Sequence, residues 1–374
     1  MTVIDLQFQE PVFVDCSNAC SAFADSKVSA FVIKKHDEIP AWESFVQNHP
    51  KGSIYHSSVM QRCESFAKNR EPYAYGALDS QGNLCALLAT VRVNTLSICS
   101  SQLSSRSIFQ AEPIYLDTAA GIQGVMQLIQ KHDHYMRRQT LFAEVRPLFV
   151  PPNPAFDPLV ACGYQKLGYT NYELSLDASE KELFDRIGAK RRNNVRASTK
   201  KGVTVFEDNS MEGLNTLYDL LEISHARSKI PLAHKSLLQA AILELPKDSF
   251  KILIARYKGE PISGGGFLAF KNRVICWYAG TKRIPGIAGT TMVFWQAIRQ
   301  YASLGYEIFD FAGAGWQGEE YGPGRFKSKF GGRLVCCDRY RKVYAPKKMQ
   351  VAEAIFHRVR QWIAPRSQRG KHYG

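Results

Sequence analysis

No stretch of this chain approaches the ~20 consecutive apolar residues that a membrane-spanning helix requires. Its apolar runs, such as ALLATV, have only the length of a strand. The nine cysteines include no CxxC pair and follow no regular spacing, which favours reduced, mostly buried thiols in the cytoplasm over a disulfide framework. The N-terminal stretch MTVIDLQFQEPVFVD has no basic segment, so we expect no secretory signal and a cytoplasmic protein.

Several motifs of well-known chemistry are also missing. PISGGGF is not the GxSxG of a serine hydrolase, and neither a GxxxxGK[ST] loop nor a GxGxxG in a dinucleotide-binding context occurs. His132 and His134 stand on a predicted helix, but no further ligands have suitable spacing. We therefore expect these histidines to lie on the surface, and we expect no metal site and no organic cofactor.

Acidic residues are too few to balance the basic ones. The 48 lysines and arginines exceed the 34 acidic residues by 14 charges, and such a field attracts phosphates, nucleic acid or an anionic membrane surface. Part of the excess lies in KRRNNVRASTKK, where Arg192, Arg196 and Lys200 share one face of a predicted helix. A row of guanidinium groups suits a diphosphate, a nucleotide or an RNA backbone.

The order helix–helix–strand–strand–strand–helix–strand occurs twice along the chain. The hairpins are PYAYGALDSQGNLCALLATVRV and FKILIARYKGEPISGGGFLAF, and the later helices are GIQGVMQLIQKHDHYMRR and TTMVFWQAIRQYASLG. The pattern predicts two α/β domains of the same fold, joined near residues 168–177. We assign residues 1–170 and 171–345 to the two domains, and residues 346–374 to a closing helix and a basic tail.

The final strand of the second repeat runs into FDFAGAGWQGEEYGPGRFKSKFGGRL, a glycine-rich loop followed by two lysines between phenylalanines. Together with the duplicated domain, this segment resembles the FemABX-like branch of the acetyltransferase (GNAT) superfamily. The resemblance covers roughly residues 30 to 345, and it is strongest in KRRNNVRASTKKGVTV, GTTMVFWQAIRQYASLGYEIFDFAG and RFKSKFGG. It implies two tandem GNAT-like domains with mixed sheets flanked by helices.

The resemblance also implies an aminoacyltransferase with its acyl-transfer centre at Phe326 and Lys327. An amine attacks an activated ester, and a lysine ammonium beside the resulting oxyanion is worth about 2.7 to 4 kcal/mol. Arg227 matches the position of an arginine that binds the precursor's phosphates. In the family, an acidic residue precedes a proline in the first domain. Here Arg146 precedes Pro147 instead, and Glu144, two residues earlier on the same strand face, could take the role of that acidic residue.

Further substrate contacts are predicted around this centre. Arg192 and Arg196 are expected as outer phosphate contacts, Trp277 and Tyr278 as aromatics of the cleft, and Tyr321 and Arg325 as contacts from the glycine-rich loop. The donor is expected to be aminoacyl-tRNA or an acyl-CoA, and the acceptor an amine of a phosphorylated cell-wall or cell-envelope precursor. Peripheral contact with an anionic membrane face is a further expectation.

Two other interpretations stay open. In a coenzyme A-dependent N-acetyltransferase, a loop of the form RxxGxG/A binds the pyrophosphate at a helix N-terminus, and Arg283, Gly286 and Ala288 fit that spacing. Alternatively, the fold is a non-catalytic basic scaffold for RNA or an anionic glycan. A mere scaffold, however, has no need of the glycine-rich and aromatic loop that carries Lys327.

Overall fold

The computed structural model describes residues 31–94, 101–149, 156–319 and 322–362, without the side chains of residues 101 and 355–362. The predicted contact Tyr321 and the predicted basic tail lie outside the described residues. No helix in these ranges is both long and apolar enough to cross a membrane. Of the described cysteines, Cys336 is exposed and the others are buried, as predicted.

Fifteen strands alternate with helices along these ranges. The strands are β1 (Val32–Lys35), β2 (Arg70–Leu78), β3 (Leu84–Asn94), β4 (Ser105–Phe109), β5 (Ile114–Tyr115), β6 (Phe142–Val145), β7 (Gln165–Leu167), β8 (Tyr169–Ser175), β9 (Thr204–Glu207), β10 (Phe250–Tyr257), β11 (Glu260–Phe270), β12 (Arg273–Thr281), β13 (Ile308–Trp316), β14 (Arg333–Cys336) and β15 (Arg339–Val343).

The helices surround two sheets built from these strands. They are α1 (Trp42–Asn48), α2 (Ser58–Phe66), α3 (Ser101–Ser104), α4 (Ala119–Met136), α5 (Pro158–Ala161), α6 (Glu180–Arg186), α7 (Ala189–Lys200), α8 (Met211–Ser228), α9 (Ser236–Glu244), α10 (Gly289–Ser303), α11 (Gly322–Lys327) and α12 (Pro346–Trp362). The first sheet has the order β1-β2-β3-β4-β6-β15-β7, with β5 paired to β3; the second has the order β14-β8-β13-β12-β11-β10-β9. The pairs β4–β6 and β12–β13 are parallel, so both sheets are mixed.

The predicted repeat is present in both halves. The first half runs α1, α2, β2, β3, β4, α4, β6, and the second runs α8, α9, β10, β11, β12, α10, β13. Local chemistry accounts for these elements: the Asp79 carboxylate accepts from two backbone N–H groups of the β2–β3 turn, and the Thr118 hydroxyl caps α4. The apolar stripe of α4, including Val125 and Leu128, is buried against the first sheet.

The chain crosses from the first sheet to the second at a single residue. Gly168 separates β7, in the first sheet, from β8, in the second, close to the predicted junction. The chain later returns, because β15 inserts between β6 and β7. The predicted domain ranges remain a prediction, but β15 falls within the range given to the second domain while pairing in the first sheet.

The two halves also share one hydrophobic core. Helix α2 packs against α9, where the Cys63 thiol lies 3.6 Å from the Ala240 carbonyl oxygen and the Lys68 N–H donates to the Ser236 hydroxyl. Ile54 and Met60 of the first half belong to the same buried cluster as Leu217 of the second. This cluster therefore packs the two halves directly against each other.

A buried polar network joins β15 to α4. The Asp133 carboxylate accepts from the hydroxyls of Tyr164 (2.8 Å) and Tyr344 (2.6 Å) and from the Lys342 ammonium (2.8 Å). His132 is buried beside it and also contacts the Ser107 hydroxyl at 2.8 Å. The expectation that both histidines lie on the surface is therefore wrong for His132, which falls on the apolar stripe of α4. No group of metal-ligating side chains occurs in the described part of the chain.

Replacing Asp133 with Asn should lower the free energy of unfolding by about 3 to 5 kcal/mol, because it leaves the Lys342 ammonium without its buried counter-charge. Chemical denaturation of Asp133→Asn measures the change. Asp219→Asn, at an exposed position on α8, is the matched control and should stay within about 0.5 kcal/mol of the wild type. Equal stability of the two variants would contradict the assigned role of Asp133.

Candidate active site

The candidate site begins where two neighbouring strands of the second sheet part. Strands β12 and β13 pair only from Arg273↔Ile308 to Ile275↔Asp310. Beyond these pairs, β12 continues to Thr281 beside β11, and β13 continues to Trp316 beside β8. We call the gap between them, from Cys276 on β12 and Phe311 on β13 onward, the wedge. It exposes backbone groups in the middle of a sheet.

An ion-paired aspartate fixes the base of the wedge. Asp310 is fully buried, and its carboxylate accepts from Arg273 (3.0 Å) and from the Asn171 side chain (2.6 Å). The same carboxylate accepts from the Ala312 N–H at 2.7 Å. Ala312 adopts a left-handed conformation, with φ 58°, which is uncommon for a residue with a side chain. The turn at Ala312 thus directs β13 away from β12.

Lys327 occupies this turn. Its ammonium donates to the carbonyl oxygens of Ala312 (3.1 Å) and Gly313 (2.7 Å). No carboxylate of the described residues forms an ion pair with it, and burial lowers the pKa of Lys327, while Cys276 and Asp310 act in the opposite direction. A lysine ammonium has three N–H donors, so one remains for a ligand in the wedge.

The glycines and phenylalanines around Lys327 fix its position. A Cβ atom on Gly324 would lie 2.3 Å from the Ala314 carbonyl oxygen, so only glycine lets α11 pack this closely on β13. Phe330 is fully buried, and the Phe326 ring packs edge-on against Phe294 at 5.4 Å. The aromatic rings therefore anchor the segment that delivers the lysine.

Arg191 is a site residue that the sequence interpretation missed. Its guanidinium lies 4.3 Å from the centroid of the Phe326 ring and donates to the Thr291 hydroxyl at 3.2 Å. Burial lowers its pKa, and no carboxylate pairs with it within the described ranges. The basic run contained the signal, but the helical spacing drew attention to the face of Arg192 and Arg196.

Those two arginines have partners within their own domain. Arg192 donates to the Asp185 carbonyl oxygen at 2.7 Å, at the end of α6, and the Arg196 guanidinium lies over the Phe184 ring at 5.2 Å. Their predicted contact with substrate phosphates stays a prediction, since the geometry shows contacts that stabilise the α6–α7 corner.

The loop before α10 carries the residues predicted for a coenzyme A pyrophosphate. Helix α10 begins at Gly289 with no side-chain cap, so its N-terminal N–H groups are free of side-chain acceptors. The loop is fixed from α7: the Ala288 N–H donates to the Ser198 hydroxyl (3.1 Å), and Lys201 donates to the Gly286 carbonyl oxygen (2.9 Å). Gly286 has φ 73°, which favours glycine.

Arg227 lies at this same end of the site. It is exposed and donates to the Thr281 carbonyl oxygen at 3.4 Å. Burial, and then the nearby charge of Arg283, lowers the pKa of Arg227. Since β12 rises about 3.3 Å per residue, Thr281 stands about 16 Å along the strand from Cys276. The structure thus places Arg227 near the loop before α10 and away from Lys327.

The remaining predicted residues lie toward the first domain, apart from Arg325, which is exposed on α11. Trp277 packs edge-on against Phe250, and Tyr278 is half-buried beside it.

Glu144 is buried, and Arg146 (2.8 Å) and Arg341 (2.6 Å) donate to it. These arginines and Arg339 hold the pKa of Glu144 well below its usual range, against the effect of burial. Its predicted catalytic role stays a prediction, but a carboxylate so stabilised is a weak base.

A surface pocket lies elsewhere. It measures about 580 Å³ and is lined by the first residues of β13 and the last of β8, with Asp177, Arg186 and Arg333. Lys327 is not part of its wall. The wedge is a gap between strands rather than a deep pocket, and hydrogen bonding and charge mark it as the site.

Residues 189–328 match the acetyltransferase (GNAT) domain family. This range begins at α7 and extends just past α11, so it contains the wedge, the loop before α10 and Lys327. No curated protein sequence gives a significant match.

Solved structures show the same fold over most of the chain. The crystal structure of FemX has a TM-score of 0.63 at 12% identity, covering 86% of this chain and 99% of that chain. L-PGS from Bacillus licheniformis has a TM-score of 0.53 at 14% identity, covering 87% and 96%. A tandem GNAT protein from the clavulanic acid biosynthesis pathway has a TM-score of 0.54 at 12% identity, covering 84% and 98%.

These comparisons confirm the predicted tandem GNAT-like fold, and the resemblance to the FemABX-like branch is borne out at the level of that fold. The domain match also confirms the predicted enzyme class, an acyltransferase. At these low identities, the likeness to the solved structures concerns the fold.

Replacing Gly324 with Ala should destabilise the protein by about 1 to 3 kcal/mol, because the new methyl group overlaps the Ala314 carbonyl and forces α11 from β13. The control is Gly322→Ala in the same helix, where a Cβ atom meets nothing within 4 Å. Thermal denaturation compares the two. A Gly324→Ala protein as stable as the control would show that the close packing of α11 is not required.

Proposed function

We propose that the protein transfers an acyl group, most simply an aminoacyl group, from an activated ester to an amine of a cell-wall or cell-envelope precursor. The observation that supports this best is the Lys327 ammonium, which lies at the wedge of a GNAT-like domain with one N–H donor free and no carboxylate partner in the described ranges. A cation placed in this way is suited to a negative charge that forms only during reaction.

The geometry suggests a simple sequence of bond changes. The amine nitrogen of the acceptor attacks the ester carbonyl carbon, and the carbonyl oxygen becomes an oxyanion. The free N–H of Lys327 donates to that oxyanion, while the two backbone carbonyls keep the ammonium in position. The C–O bond of the ester then breaks, and the leaving alkoxide takes up the proton that the amine nitrogen loses, so that it departs as the alcohol. Because the Lys327 N–H group is in position before the negative charge develops, the protein does not have to rearrange during the reaction.

Aminoacyl-tRNA is the donor that the family resemblance favours, and FemX and L-PGS share the fold. The excess of 14 positive charges suits a nucleic-acid donor. Arg191 lies beside the Lys327 segment, over the Phe326 ring, where it could contact the 3′ end of such a donor.

Coenzyme A is the second candidate donor. The observation in its favour is the loop at the start of α10, with Arg283, Arg227 and the uncapped helix N-terminus together. In that case a C–S bond of the thioester would break in place of the C–O bond. Pro285 removes one N–H donor from the loop, which weakens the phosphate site.

Replacing Lys327 with Met should lower the rate of acyl transfer at least tenfold, because the oxyanion loses its positioned donor. The assay supplies radiolabelled aminoacyl-tRNA or acetyl-CoA with an extract of cell-envelope precursors and follows label in the acceptor fraction. Transfer from aminoacyl-tRNA alone supports the proposed donor, and transfer from acetyl-CoA alone supports the second candidate.

Lys329→Met is the matched control, since Lys329 is exposed two residues away, and it should retain the wild-type rate. Circular dichroism confirms that both variants fold. An unchanged rate in folded Lys327→Met would remove Lys327 from the mechanism, and no transfer from either donor by the wild type would overturn the proposed function.

A further inference from the structure

One face of the first sheet carries an unusual density of arginines. The register places Ile108 of β4, Glu144 of β6 and Arg341 of β15 side by side. Side chains alternate along a strand, so the residues two positions from that row share its face. Arg106 lies on one side of the row, and Arg146 and Arg339 lie on the other. Arg70 joins them, since it pairs with Val93, which pairs in turn with Arg106. We call Arg70, Arg106, Arg146, Arg339 and Arg341 the arginine face. It lies opposite α4, on the side toward the second domain.

The positive charges of this face exceed their partners. Arg70 pairs with Glu64, and Glu144 alone serves Arg146, Arg339 and Arg341. Two carboxylates thus pair with four arginines. Arg106 forms no hydrogen bond or ion pair with any described residue, and its Nε atom is enclosed without a partner, as is the Nε atom of Arg341.

Part of this charge is shielded from water. The Arg106 side chain is half-buried, and its Nε atom is enclosed without a partner. Burial, and then the charge of Arg146, lowers the pKa of Arg106 to about 10, so at neutral pH the side chain keeps its charge. A bound anion would supply the counter-charge that the described residues of this face lack.

The arginine face lies near the wedge. Arg70 and Arg146 act electrostatically on the phenol of Tyr278, which follows the unpaired part of β12. Arg146 and Asp310 both act on Tyr55, and Asp310 is also among the charges that act on Lys327. The Arg339 guanidinium also lies 3.6 Å from the centroid of the Tyr169 ring and 5.8 Å from that of Trp316, the last residue of β13. A molecule held by the arginine face would therefore lie beside β13, on the side of the first domain.

We propose that the arginine face is a binding site for an oxyanion group, phosphoryl or carboxylate, with Arg106 and Arg146 as its main contacts. Both groups accept paired hydrogen bonds from planar guanidinium groups. That this oxyanion belongs to the acceptor rests on the proposed function; the binding of the anion does not. Glu144 then has the role of keeping three arginines in place rather than that of a base.

The test measures the thermal stability of the whole chain at rising concentrations of sodium phosphate, pyrophosphate or succinate, each against sodium chloride of equal ionic strength. At least one of these anions should raise the Tm of the wild type, since a ligand that binds only the folded state stabilises it. Response to the phosphates alone would indicate a phosphoryl group, and response to succinate alone a carboxylate.

Three variants locate the site. Arg106→Gln and Arg146→Gln should weaken the apparent Kd at least tenfold, and Arg106→Gln should have a Tm in chloride no lower than the wild type, because an uncompensated charge is gone. Arg138→Gln removes an exposed charge just after α4 and should keep the wild-type Kd.

Two results would overturn the proposal: no stabilisation beyond that of chloride, or a wild-type Kd in both Arg106→Gln and Arg146→Gln. No acyl donor is present in these experiments. A failure here is therefore separate from a failure of acyl transfer, which the Lys327 assay measures.

Discussion

The parting of β12 and β13 is the constraint on which the rest of this structure depends. Two strands that continued to pair would satisfy each other's backbone groups and leave no site in the sheet. The Asp310–Arg273 ion pair holds the last paired residues together, and the left-handed turn at Ala312 then separates the strands. The carbonyl groups released by that turn are the ones that position Lys327. The same feature thus opens the site and supplies its cation.

The second domain cannot form a complete site alone. The side of β12 that carries Trp277 and Tyr278 faces residues of the first half, such as Tyr55, across a shared core. That arrangement requires the first sheet to be rigid, and β15, from the end of the chain, completes it. The Asp133 network fastens β15 to α4 at one face, and Glu144 fastens it to β6 at the other. The C-terminal part of the chain therefore supports the first sheet, which faces the second domain.

Much of this fold follows from local patterns in the sequence. The hairpins have turn residues such as Asp79 and Gly82 between alternating strands, and α4 and α10 have clear apolar stripes, so the repeat could be predicted. His132 could have been placed correctly too, because it falls seven residues after Val125 on the same stripe. The insertion of β15 between β6 and β7 could not be predicted in this way, since it joins residues about two hundred positions apart by pairing alone.

The residues of the site likewise differ in how far the sequence could predict them. Lys327 was found through a resemblance, because a lysine in a glycine-rich loop carries no chemistry by itself. Arg191 was overlooked because its role depends on Phe326 and Thr291, which reach it only in the folded domain. Arg106 stands in the unremarkable strand SRSIF, and its lack of a partner becomes visible only when β4, β6 and β15 lie side by side. Burial and pairing across strands are tertiary properties that no local pattern contains.

The most direct test of this account is a crystal structure with a phosphonate analogue of the tetrahedral intermediate, attached to the 3′ position of adenosine as the end of an aminoacyl donor. The account predicts a phosphonate oxygen about 2.7 to 3.1 Å from Lys327 Nζ, with the nitrogen that represents the acceptor on the side of the first domain. An analogue bound outside the wedge, with Lys327 contacting only Ala312 and Gly313, would contradict it.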